Sequence, residues 1–198
     1  MTTFPVHSGE TAPEGSKPIL AAAQKKLGFV PNLFRVFAEA PAIAEAYGTV
    51  MDIFERSSLS DAEKQTVLLS ASHANGCGYC MAAHSTIAQM KGVAPEIVEA
   101  LRGGTTLSDA KLDALAALTR SIVETRGWPS DEVKAAFFGA GYGTAEYLEV
   151  ILGIAVKTIS NYVNHAADTP LDPAFEAAKW PRLEESVQGS RKTLLALE

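Results

Sequence analysis

Apolar residues recur three and four positions apart along most of this chain, the spacing that lines one face of an α-helix. Alternating Val/Ile/Thr runs of the kind a half-buried strand needs are nearly missing. Gly and Pro cut the pattern into short segments, so the sequence predicts an all-α fold. With 198 residues and 47% of them hydrophobic, one domain with a sizeable core is expected. Residues 1–17 read as a polar arm, 18–180 as the helical domain and 181–198 as a polar tail, with no internal boundary.

The segments can be placed by their punctuation. "SKPILAAAQKKLG" predicts a helix that stops at Gly28, and "FVPNLFRVFAEA" a short one with Pro31 at its first position. "PAIAEAYGTVMDIFERS" predicts a helix from Pro41 to about Arg56. Ser60 followed three residues later by Glu63 is a capping-box pattern. The helix it opens carries Val67, Leu68, Ala71 and Ala74 on its apolar face and breaks at Gly76. "CGYCMAAHSTIAQMKG" begins the next helix, with both cysteines in its first turn. Further helices are expected over "APEIVEALRGG", from Ser108 to Gly127, and after Ser130. Gly139 to Gly143 is a helix break without the Lys and Ser/Thr of a phosphate loop. "TAEYLEVILGIAVKTISNYVNHAAD" is long and apolar on most faces, which suits a central core helix or a subunit interface. Asn164 and His165 are expected to cap its end. Trp128 and Trp180, each before a proline, read as packing or turn residues.

The net charge of −6 offers no electrostatic attraction for nucleic acid or an anionic membrane. No apolar run is long enough to cross a bilayer, and the first residues lack the basic-then-apolar pattern of a leader. The expected setting is cytoplasmic. In a reducing compartment a Cys-x-x-Cys pair calls for a redox or metal explanation.

That pair is Cys77 and Cys80, the only cysteines of the chain, with His84 four residues beyond the second. Thiols ionise more readily at a helix N-terminus and near a base. Positions i and i+4 share a helix face, which sets His84 beside Cys80. Cys77 lies one turn earlier, close enough for a disulfide where the backbone suits it. An activated thiolate, a base and a second thiol are the parts needed to reduce a hydroperoxide. Attack on the O–O bond gives a sulfenic acid, the second thiol closes a disulfide, and an external dithiol restores the pair. Two other readings stand beside this one. Both cysteines can be structural, as small buried apolar residues. Cys77, Cys80, His84 and His73 also match a zinc ligand set by type, but the spacing is cramped for a closed tetrahedron and no second Cys-x-x-Cys appears, so no metal is expected. Tyr79 reads as packing.

The stretch "LSDAEKQTVLLSASHANGCGYCMAAHS" resembles the AhpD-like alkylhydroperoxidases of the carboxymuconolactone decarboxylase superfamily. "LGFVPNLFRVFAEAPAIAEAYG" and "GYGTAEYLEVILGIAVKTISNYVNHAADTPLD" are similar to flanking segments of the peroxidase-related subgroup, so the resemblance spans about residues 18–175. It implies an all-helical fold in which subunits interlock as a dimer, trimer or hexamer. It also implies peroxide reduction without a bound cofactor, a lipoyl or thioredoxin-like dithiol protein being the reductant. By position, Cys80 matches the cysteine that attacks peroxide, Cys77 its disulfide partner and His84 the relay histidine. The family's relay glutamate falls at Gln65, which takes no proton, and Tyr79 stands where the best-known member has a histidine. Glu63 and His73 are the nearby candidates to complete the relay, with capping already accounting for Glu63. The departure leaves a redox-responsive scaffold with little turnover as an alternative. Lactone decarboxylation, which needs no cysteine pair, is another.

Overall fold

Nine α-helices run through residues 3–180, the part of the chain that the computed structural model describes. They are α1 (Lys17–Leu27), α2 (Asn32–Phe37), α3 (Pro41–Glu55), α4 (Asp61–Ala74), α5 (Gly78–Met90), α6 (Pro95–Gly103), α7 (Ala110–Thr125), α8 (Asp131–Gly139) and α9 (Thr144–Ala167). No strand occurs among the described residues. No helix among them is long and apolar enough to cross a membrane. The tail assigned to 181–198 lies outside the described residues.

The helix at the centre is α4. Its start is the capping box expected from Ser60. The Glu63 N–H donates to Ser60 Oγ at 3.3 Å, and the Ser60 N–H donates back to Glu63 Oε2 at 2.8 Å. Every residue from Lys64 to Ser72 is buried, on all faces rather than the one that periodicity suggested. The reason is the packing: α7, α5 and α9 all lie against α4. Lys64 is accommodated by sending its ammonium to the Glu55 carbonyl at 2.7 Å.

The long helix α9 is correspondingly less enclosed than its composition suggests. Val150, Gly153, Val156, Lys157, Ser160, Asn161 and Asn164 form one buried stripe, while Leu148, Ile151 and Tyr162 face outward. Gly153 sets its distance from the core. A Cβ there would stand 2.7 Å from Val67 Cγ1 and 2.8 Å from Phe54 Cε2, closer than side chains approach, so only glycine lets α9 settle against α4 and α3.

Smaller differences from the sequence expectations have local causes. Pro31 is the N-cap of α2 rather than its first helical residue. Asp109, not Ser108, opens α7, because its carboxylate accepts from the Lys111 and Leu112 N–H groups. The N-terminal arm is tied down and holds a 3-10 turn at Glu14–Ser16. The His7 N–H donates to the Arg35 carbonyl at 3.1 Å, and Ser16 Oγ donates to the Ala38 carbonyl at 2.7 Å.

Candidate active site

The cysteines are positioned by the break between α4 and α5. Gly76 takes φ 66°, and the Cys77 N–H donates to the Ser72 carbonyl at 2.9 Å, which reverses the chain. Cys77 is then the N-cap of α5, and Cys80 sits in its first turn. Both are free thiols, 1% and 2% exposed. Each can fill its hydrogen bonds only from protein groups.

Those groups come from α9. Asn164 Nδ2 donates to Cys80 Sγ at 3.2 Å and lies 3.8 Å from Cys77 Sγ. Ser160 Oγ lies 3.7 Å from Cys80 Sγ. Lys157, one turn before Ser160 on the same buried face of α9, brings its positive charge to bear on Cys80 as well. Asn164 is thus not an end cap, as expected from its place in the sequence; its side chain bridges the two sulfurs. Its Oδ1 is buried and finds no partner among the described residues.

The electrostatics separate the two thiols. Burial on its own pushes Cys80 up. The Cys77 thiol hydrogen, the Lys157 charge and the Ser160 and Asn161 hydrogen bonds outweigh it and hold Cys80 well below the ordinary cysteine range. Cys77 moves the other way, through its hydrogen bond to Cys80, its burial and the charge of Cys80. The two shifts run in opposite directions and favour the thiolate at Cys80 and the thiol at Cys77.

His84 is also on the site-facing side of α5, but it meets Lys157 rather than sulfur. Lys157 Nζ donates to His84 Nε2 at 2.8 Å, and His84 Nδ1 donates to Gln65 Oε1 at 3.2 Å. The carbonyl oxygen of Gln65 selects the Nδ1–H tautomer and frees Nε2 to accept. Burial, then the Lys157 and Lys91 charges, keep the His84 imidazole well below its usual basicity, so it is neutral. Lys157, fully buried, is held charged; burial disfavours that charge, but Cys80, Tyr47 and Cys77 favour it more. The order in space is Gln65, His84, Lys157, Cys80, Cys77. Lys157 was missed in the sequence. The signal was present: a lysine on the same helical face as Gly153, Ser160, Asn161 and Asn164 is a polar stripe where an apolar one would ordinarily pack.

Two candidates are not brought to the sulfurs. Glu63 is spent on Ser60, and its Oε1 lies 3.1 Å from Lys111 Nζ. His73 points the other way, with its ring 5.5 Å from that of Trp180, whose Nε1 donates to the Arg102 carbonyl at 2.9 Å. Neither therefore completes a relay to Cys80, and with His73 elsewhere the four-ligand zinc set does not assemble. Trp128 is exposed. Tyr79 packs edge-on against Phe175, and its hydroxyl donates to Asp172 Oδ2, which in turn accepts from the Asn32 N–H. The turn between the cysteines is anchored to the segment after α9.

Comparison with known proteins agrees with this architecture. Residues 38–120, from the end of α2 into α7 and including both cysteines, match the model of the carboxymuconolactone decarboxylase family. No curated protein matches the chain by sequence. An uncharacterized peroxidase-related protein from Ralstonia eutropha JMP134, described as an alkylhydroperoxidase AhpD core, superimposes with a TM-score of 0.74 at 19% identity, over 87% of this chain and 93% of that one. An uncharacterized peroxidase-related protein from Silicibacter sp. TM1040 gives 0.73 at 17% identity, over 88% and 92%. The debrominase Bmp8 gives 0.76 at 22% identity, over 90% and 96%. A cysteine-to-alanine variant of Bmp8 has been solved with 2,3,4-tribromopyrrole. These likenesses establish an AhpD-like helical fold.

Proposed function

We propose that this chain, whose residues 38–120 match the carboxymuconolactone decarboxylase family model, is a thiol-dependent hydroperoxide reductase. The observation that carries the reading is the division of labour at the cysteines. Cys80 is held as a thiolate by Lys157 and by hydrogen-bond donors, while Cys77 beside it keeps its proton. A nucleophile and a resolving thiol are the two components that peroxide reduction needs.

Cys80 attacks the terminal oxygen of a hydroperoxide. The S–O bond forms, the O–O bond breaks, and the organic oxygen leaves as the alcohol once protonated. The Cys77 thiol then condenses with the Cys80 sulfenic acid, releasing water and closing the disulfide. A dithiol protein of the lipoyl or thioredoxin type reduces that disulfide by exchange. Near-complete burial of both sulfurs favours a small hydroperoxide. Asn164 Oδ1, an acceptor without a partner among the described residues, suits the O–H of that substrate. Exposed Leu148, Ile151 and Tyr162 on the outer side of α9 support self-association as a homo-oligomer, measurable as solution mass.

The test is thiol counting with kinetics. One equivalent of an organic hydroperoxide, added in the presence of a chelator, should consume both thiols of each chain. Cys80→Ser should abolish turnover; full activity in that variant would defeat the assignment. The same assay with 2,3,4-tribromopyrrole tests dehalogenation, the activity in Bmp8's name. A change of oligomeric mass on oxidation with no peroxide turnover would instead favour a redox-responsive scaffold.

A further inference from the structure

The charge of Lys157 has a consequence that depends on the redox state of its neighbours. The side chain is fully buried at the junction of α9, α5, α4 and α3. The titratable groups facing it are Cys80, Cys77 and His84 from α5 and Tyr47 from α3; Gln65 from α4 lies behind His84. Among the described residues no carboxylate is a partner of its ammonium. His84 is neutral and accepts a hydrogen bond without offsetting charge. The thiolate of Cys80 is thus the anion that balances the ammonium, and the chemistry of the site destroys that anion.

We propose that Lys157 is the acid of the peroxidase reaction: it protonates the leaving oxygen and stays neutral for as long as the disulfide persists. The proposal rests on the peroxide-reductase reading. In the first step Cys80 S⁻ takes the terminal OH of ROOH, RO⁻ departs, and the Lys157 ammonium gives RO⁻ its proton. The products are Cys80–SOH, ROH and the Lys157 amine. In the second step Cys77–SH and Cys80–SOH form the disulfide and water, and Lys157 is unchanged. Thiolate and ammonium thus vanish together, and no unpaired charge is left buried, which would be costly in this setting. When a dithiol reduces the disulfide, its two hydrogens leave as protons. One goes to Cys77 and the other to Lys157, and the thiolate–ammonium pair is restored. Position favours Lys157 over His84 for this role, because it shares the buried face of α9 with Ser160 and Asn164, the residues that meet Cys80 Sγ, whereas the imidazole lies behind it and already lacks a proton at Nε2. Gln65 fits the scheme: an amide at His84 Nδ1 holds the ring as an acceptor toward Lys157 and supplies no competing proton.

The direct test reads the protonation state of Lys157. In lysine-labelled protein its 13Cε resonance, assigned by its loss in Lys157→Met, should show an ammonium at pH 7 in the dithiol form and a free amine in the disulfide form. An ammonium in both forms overturns the proposal. A second variant separates charge from acidity: Lys157→Arg keeps a cation but does not release a proton. It should retain the thiolate absorbance near 240 nm, yet reduce the single-turnover rate of sulfenic acid formation by about tenfold or more. An unchanged rate in that variant also overturns the proposal, and should the variant not fold, the labelled wild-type protein decides alone. Turnover that survives Cys80→Ser would instead remove the peroxidase reading itself, an outcome distinct from both.

Discussion

The two walls of the site contribute different things. The α5 wall presents Cys77, Cys80 and His84 within one short stretch, and these are the groups able to be oxidised or to hold a proton. The α9 wall presents Lys157, Ser160 and Asn164, which lie 73 residues from His84 and 80 and 84 from Cys80 along the chain. The α9 groups are not oxidised, but together with the Cys77 thiol they lower Cys80 against the cost of its burial. A motif read from α5 alone identifies the two thiols and leaves their charge open. The contrast teaches that the charge state of a buried Cys-x-x-Cys depends on a second element as well as on its own helix.

The contrast is broken most sharply by Lys157→Met. Without the cation, burial should lift Cys80 back toward or above the ordinary range. Each pKa unit of that rise cuts the thiolate at neutral pH by about tenfold. Loss of the 240 nm thiolate band at pH 7, with a matching fall in the peroxide rate, is the expected outcome. A band that persists would return the control of charge to α5.

Gly153→Ala tests whether the close approach of α9 is what delivers Lys157. The added methyl meets Val67 and Phe54, so α9 must back away. A loss of about 1–3 kcal/mol in unfolding free energy is expected, with a weaker thiolate band. Lost stability with an unchanged band would show that Lys157 reaches the sulfur without that fit.

His84 sharpens the comparison through pH. Its imidazole is depressed in the folded chain, chiefly by burial and then by Lys157. The unfolded chain binds a proton there once pH falls below about 6.5, and the folded chain does not until a lower pH. Stability present above pH 6.5 should therefore drain away as the medium is acidified, at up to about 1.4 kcal/mol per pH unit. Urea unfolding at pH 7, 6 and 5 would show it, and His84→Gln should flatten the slope.

The smallest effect belongs to the start of α4. Ser60→Ala removes a cap and should cost about 1 kcal/mol while leaving the thiolate band in place. Glu63→Gln should likewise leave peroxide turnover unchanged, because Glu63 serves Ser60 and Lys111 rather than sulfur. A turnover defect there would bring Glu63 back as a relay residue.

The legible parts of this molecule are those with local causes. Ser60 and Glu63 announce a helix start because both partners of the cap lie within one turn. Gly76 announces a break because a left-handed residue is needed there. Cys77, Cys80 and His84 fall on one side of α5 because the helix repeat puts them there. Ser108 was misread because Ser108 and Asp109 are adjacent cap residues, and only the hydrogen bonds distinguish them. Asn164 was misread because its place near a helix end suits capping, whereas its side chain points inward. His84 was set against Cys80 by spacing alone, and spacing does not register a lysine arriving from another helix.

The amino-acid sequence by itself determined the helical class, the main breaks and the identity of the two sulfurs, since all of these follow from interactions within a few residues. Tertiary structure alone decided that α4 is enclosed on every side and that Glu63 and His73 face away. It also decided that Lys157 stands between His84 and Cys80. Those outcomes depend on how closely helices distant in sequence approach one another. In a buried site the balance of charge is set by that approach, because water is not there to screen it.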